Sequence, residues 1–94
     1  MREVERAQLV RLIARRTLEA LTEGPLTLGA LKKRVLDNIP QRGKHRLFRS
    51  VLHALVWAGV VEEKLMLCRG NFVTVYVMNE EELRRRWWLR VGEL

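Results

Sequence analysis

The sequence predicts one α+β domain, mostly helical, with a single β-hairpin between the third and fourth of its helices. Three observations lead there. Apolar residues recur three and four apart as far as residue 58, then give way to two runs of β-branched and apolar residues before residue 79. Turn-forming residues fall between these segments, at Gly24 and Pro25, at Pro40 and Gly43, at Gly59 and at Gly70. The 94 residues, 48% of them hydrophobic, supply one core and are too few for two ordinary domains, so residues 1–94 are read as a single domain.

The first helix is predicted from Arg2 to Thr22, with Val10, Ile13, Ala14, Thr17, Leu18 and Leu21 on one face. Glu23, Gly24 and Pro25 end it, and Leu26 and Thr27 form a very short strand. Thr27 then serves as N-cap to a second helix, Leu28 to Asn38, with Leu28, Leu31 and Val35 inward. Ile39 and Pro40 stop that helix, and Gln41, Arg42 and Gly43 make the turn. A third helix, Lys44 to Ala58, buries Phe48, Val51, Leu52 and Leu55, and Gly59 takes the left-handed position that closes it. Val60–Cys68 and Phe72–Met78 are the strands of the hairpin, joined by Arg69, Gly70 and Asn71. Asn79 with Glu82 three residues on resembles a capping box, opening a last helix from Glu80 to Val91.

Charge and composition narrow the function classes. Eighteen Lys and Arg against eleven Asp and Glu give a net charge of +7, which favours a polyanionic partner. The longest stretch without a formal charge, Ser50–Val61, is too short to cross a bilayer, so no membrane role is expected. The charged N-terminus lacks the apolar run of a signal peptide, and the single Cys68, read as a small buried hydrophobe, fits a reducing compartment; the expectation is a cytoplasmic protein. Enzyme signals are missing. His45 and His53 stand about 12 Å apart along one helix, too far to share a metal. No glycine-rich phosphate loop, cysteine pair, or nucleophile with a matching base can be assembled. No catalytic residue, metal, cofactor or small-molecule substrate is therefore expected.

The third helix is polarised. Arg46, Arg49, Ser50, His53 and Trp57 lie opposite its apolar stripe, and Arg42, Lys44 and His45 stand at its start. From Arg42 to His53 there are four Arg or Lys and no acid. Basic groups beside the free N–H donors of a helix N-terminus suit a phosphate, and a guanidinium can pair with both O6 and N7 of guanine. The bland alternative is a solvated charged face.

The run Leu28–Lys64, especially Val51, Leu52, Leu55, Gly59, Val60 and Val61 followed by charged residues, resembles the winged helix-turn-helix DNA-binding superfamily, in the form found in small archaeal, bacterial and viral transcription regulators. The resemblance implies a winged helix in which the third helix, about 44–58, is a recognition helix in the major groove and the hairpin a wing. It implies base contacts from Arg46 and Arg49, with Ser50 and His53 also facing DNA and Arg42, Lys44 and His45 on phosphate. Lys32 and Lys33 can touch the backbone where the second helix crosses it. Arg69 at the tip would lie beside the minor groove, although the wing reads as short and apolar, with Glu62 and Glu63 at its base. A homodimer is expected through the terminal helices, from an apolar edge at Leu9, Leu12 and Ala20 and from the adjacent Trp87 and Trp88, which cannot both face one core. The expected function is sequence-specific binding of double-stranded DNA by a small dimeric transcription regulator. The alternatives are a winged helix used as a protein-interaction module, towards which Trp57 leans, and binding of structured RNA.

Overall fold

The computed structural model describes residues 2–85 of the chain. Seven elements follow one another: α1 (Glu3–Leu21), β1 (Leu26–Thr27), α2 (Leu28–Val35), α3 (Lys44–Trp57), β2 (Val61–Cys68), β3 (Asn71–Met78) and α4 (Glu80–Arg85). The strands form one antiparallel sheet in the order β1-β3-β2. This α+β arrangement of helix, short strand, two helices, hairpin and C-terminal helix is consistent with the winged-helix fold.

Each boundary has a local cause. The Thr27 hydroxyl accepts a hydrogen bond from the Ala30 N–H at 3.3 Å and so caps α2. That helix stops at Val35, earlier than its apolar spacing suggests, and the Arg16 guanidinium on α1 satisfies carbonyls beyond its end, donating to that of Val35 at 3.1 Å and that of Asp37 at 2.7 Å. Asn38 then takes a left-handed φ of 60°, which asparagine tolerates better than most residues. At the end of α3, Gly59 has φ 81°, the Val60 N–H reaches the Leu55 carbonyl at 3.1 Å and the Gly59 N–H reaches that of Val56 at 3.0 Å. These are the two bonds of a Schellman motif, and Leu55 and Val60 are both buried beneath it. Asn79 caps α4 by accepting from the Glu82 N–H at 3.0 Å, while its amide donates to Glu62 at 3.3 Å and ties the helix to β2. Arg84 and Arg85 pair with Glu80, Glu81 and Glu82 at 3.7–3.8 Å along α4.

The core gathers Ile13 and Leu18 of α1, Leu31 and Val35 of α2, Phe48, Leu52 and Leu55 of α3, Val60 from the turn after α3, and Val61 and Tyr76 from the sheet. The one buried polar side chain among the described residues, Thr17, returns its hydroxyl to the Ile13 carbonyl at 2.7 Å. Because α1 packs against α2, α3 and β3 together, its buried arc is wide. Leu9 and Ala20, expected at a free apolar edge, are therefore in the core, and Leu12 packs partly buried against it. Leu9 is not available to a partner. Leu28, expected inward, is half exposed, since it stands at the first position of α2 beyond the reach of the core.

The hairpin also departs from expectation. Its turn has two residues, Arg69 at φ 50° and Gly70 at φ 84°, with Cys68 paired to Asn71. Two successive positive φ values match the twist of the strands, so no third loop residue is needed. The wing is not short: each strand has eight residues, above the usual five or six. Only Val75 and Tyr76 of β3 pair with β1, so the hairpin continues past the core as an arm. Cys68, read as buried, is exposed near the tip of that arm.

Candidate nucleic-acid interface

Helix α3 has two sides with opposite chemistry. Leu47, Phe48, Val51, Leu52 and Leu55 are buried, whereas His45, Arg46, Arg49, Ser50, His53 and Trp57 are exposed. The exposed residues form two rows at four-residue spacing, His45–Arg49–His53–Trp57 and Arg46–Ser50. Trp57, at the end of the longer row, is 93% exposed.

The two rows face different neighbours. Towards α2, a groove of about 140 Å³ is lined by Leu28, Lys32, His45, Phe48, Arg49, Leu52, His53 and Tyr76. Lys32 is thereby brought beside His45 and Arg49, and the half-exposed Leu28 forms the groove's apolar wall. Towards α1, a second depression is lined by Arg6, Arg42, Gly43, Arg46, Leu47 and Ser50. Arg6 is a further cation here that the pattern of charges in the sequence does not mark. It lies one turn before Leu9, so recognising Leu9 as a core residue facing α3 would have revealed it.

The start of α3 is electrostatically unusual. Gly43 occupies the N-cap with a left-handed φ of 80°, no side chain caps the helix, and no acid lies in its first turn. Lys44, His45 and Arg46 stand there instead, with Arg42 just before them. The helices α1 and α4 are built the opposite way, with Glu3 and Glu5 in the first turn of α1 and Glu80, Glu81 and Glu82 in that of α4; α2 also lacks an acid in its first turn, but its N-terminus is capped by the Thr27 side chain. Cations at the positive end of a helix dipole are unfavourable unless an anion joins them.

Lys44 is engaged within the protein. It is half-buried and its ammonium donates to the Ile39 carbonyl at 2.7 Å, holding the turn between α2 and α3. A purely phosphate-binding role for Lys44 overlooks that bond, which no sequence spacing reveals. The other cations here are unpaired in a specific sense: ion pairs among the described residues engage Arg15, Arg34, Lys64, Arg84 and Arg85, and none involves Arg6, Lys32, Arg42, Arg46 or Arg49. Asp37 lines a depression together with Lys32, Lys33, Lys44 and His45.

The remaining expected site residues are scattered or lie elsewhere. Arg69 is exposed at the tip of the arm, four β3 positions beyond the last pairing with β1 at Val75 and the turn besides, and so is not part of the α3 surface. Trp87 and Trp88 lie outside the described residues. Among the described residues no group of three His, Cys, Asp or Glu side chains is placed to hold a metal ion, and no helix is long and apolar enough to cross a membrane. What the α3 surface offers is a convex ridge of guanidinium, imidazole and hydroxyl groups, flanked by further cations and headed by free backbone N–H donors. Compared with known protein families, with curated proteins and with solved structures, the chain shows no significant match.

Proposed function

We propose that this chain binds double-stranded DNA through the exposed face of α3, as a small transcription regulator of the winged-helix type. The observation that carries the proposal is the start of α3: an uncapped helix N-terminus without acids, surrounded by Arg6, Arg42, His45 and Arg46. A phosphate there would satisfy the free N–H groups and neutralise the clustered charge together. Arg49, in the middle of the exposed row, is the residue best placed to reach a base edge, with Arg46 one turn before it. Ser50 and His53 supply hydrogen bonds on the same ridge, and Lys32 steadies the backbone from α2.

The test is a titration of duplex DNA across salt concentrations. Each phosphate neutralised contributes about 0.9 to the slope of log affinity against log salt, so a slope of several units is expected. Arg42→Ala should weaken all sequences alike and lower that slope by about one contact. Arg49→Ala should cost roughly 1–3 kcal/mol on a selected site and little on random DNA. Absence of duplex binding at low salt would overturn the proposal. One observation favours a second reading, a protein-interaction module: the almost fully exposed Trp57 at the end of the same row. Loss of a protein partner on Trp57→Ala, with no duplex binding by the parent chain, would establish it.

A further inference from the structure

The hairpin arm carries more apolar surface than a solvated wing needs. Leu65 and Phe72 are each 71% exposed, Leu67 63% and Met66 44%. The strand register divides them between both faces: Leu65, Leu67 and Phe72 share the face of Val61 and Tyr76, while Met66, Val73 and Val75 share the other. Along its outer side β2 has no strand partner among the described residues, because it is the end strand of the sheet. A long, apolar edge strand is a template for another strand, and proteins that stay monomeric usually blunt it with charge or proline. From Leu65 to Cys68 this one carries neither.

We infer that β2 pairs with β2 of a second copy of this chain, antiparallel, on a two-fold axis at Met66. The register follows from the turn and from charge. In a two-residue hairpin the closing pair, here Cys68 and Asn71, bonds inward, so the amides of Leu67, Leu65 and Glu63 point away from β3. With the axis at Met66, outward-pointing residues meet outward-pointing residues: Leu65 meets Leu67 of the second copy in the ladder, and Glu63 comes beside the turn of the second copy, where Arg69 stands. Shifting the axis to Leu65 sets Glu63 opposite Leu67 and Arg69 opposite Val61; shifting it to Leu67 sets Arg69 opposite Leu65. The Met66 axis alone pairs the acid at one end with the base at the other, twice by symmetry. Edge pairing brings the flanks of Leu65, Met66 and Leu67 against their counterparts and leaves Phe72, on β3, outside the contact, so the association rests on the backbone ladder along β2 and on the two Glu63–Arg69 pairs. The arms thereby join two sheets into one of six strands. This interface lies on the hairpin and not on the terminal helices, and it does not depend on the α3 surface binding DNA.

Sedimentation of the full 94-residue chain tests the inference, with circular dichroism on each variant to confirm folding. The parent chain should be a dimer at micromolar concentration. Arg69→Asp, which keeps a residue tolerant of positive φ, and Glu63→Arg should each raise the dimer dissociation constant on the order of tenfold, because each places two like-charged pairs in the interface. The double variant should return it towards the parent value. Leu65→Lys, at a position already exposed in the single copy, should give a folded monomer. Exchange of the Leu65 and Leu67 amides should slow as concentration rises. A parent chain that stays monomeric at hundreds of micromolar overturns the inference, as does a dimer insensitive to Leu65→Lys. A dimer that Leu65→Lys breaks but the charge reversal does not restore overturns the Met66 register.

Discussion

Replacing Arg46 by Glu should move stability and DNA affinity in opposite directions. Arg46 is the third residue of α3, exposed and without an ion pair among the described residues. The exchange removes a cation from the positive end of the helix and adds an anion there. Each half is worth about 0.3–1 kcal/mol at low salt, so the free protein should gain about 1 kcal/mol. Glu at this position can also reach back to the Gly43 N–H, one half of a capping box, and Arg and Glu differ little in helix propensity. In a domain of this length, about 1 kcal/mol raises the melting temperature by roughly 4–8 °C. Duplex affinity should fall at least about tenfold, with the salt slope reduced by about 0.9, since a phosphate contact becomes a repulsion. Urea unfolding and a fluorescence-anisotropy titration on the same samples measure both effects. A destabilised variant would refute the account of the α3 N-terminus. A stabilised variant with unchanged affinity would remove Arg46 from the interface and take the main support from the proposed function.

Gly59→Ala should cost about 1–2 kcal/mol in urea unfolding, because its φ of 81° is left-handed; the new Cβ would meet the Glu82 side chain at ordinary contact distances, Cγ at 3.5 Å and Cδ at 3.9 Å, so a larger loss would mean that packing and not backbone strain sets the price. Tyr76, the only tyrosine, should ionise above the ordinary value near 10, because burial opposes the phenolate and the Glu63 carboxylate adds its charge and a hydrogen bond accepted from the phenol at 3.4 Å. Since the folded state holds this proton more tightly than the unfolded chain, its contribution to stability is complete below about pH 10 and is lost as pH rises through the folded value. Tyrosinate absorbance followed against pH reads this directly, and Glu63→Gln should bring the ionisation partway back down.

Element order and most boundaries were legible because the hydrophobic period changes sharply at Gly59 and because Thr27, Gly59 and Asn79 carry their capping chemistry in the residue type itself. The face of α1 was harder. A single helical wheel assumes one buried direction, and α1 is enclosed by α2, α3 and β3, so Leu9 and Ala20 fall inside an arc wider than the wheel allows. Misplacing Leu9 also hid Arg6. The exposed row on α3 was readable from four-residue spacing, whereas its lateral neighbours depend on how α1 and α2 lie against it. Lys44 shows a different limit. Its charge and position suit a phosphate, but the turn between Ile39 and Lys44 folds back so that the Ile39 carbonyl lies 2.7 Å from the ammonium, a turn geometry that residue types alone do not specify. In the hairpin, residue types marked the strands well, yet nothing in them tells how far β1 extends along β3, and that length decides where the core ends and the arm begins.

The bonds that Arg16 and Lys44 make to the carbonyls of Val35, Asp37 and Ile39 separate two properties that a cationic domain usually confounds. Their acceptors are peptide dipoles fixed a bond length away, not carboxylates reached through solvent, so dissolved ions have little room to compete. On the proposed function, raising ionic strength should therefore release DNA from α3, and in either case the segment from α2 to α3 should keep its geometry. Under the proposed function, such a domain would let go of DNA without loosening, and rebinding would begin from a scaffold that is already set.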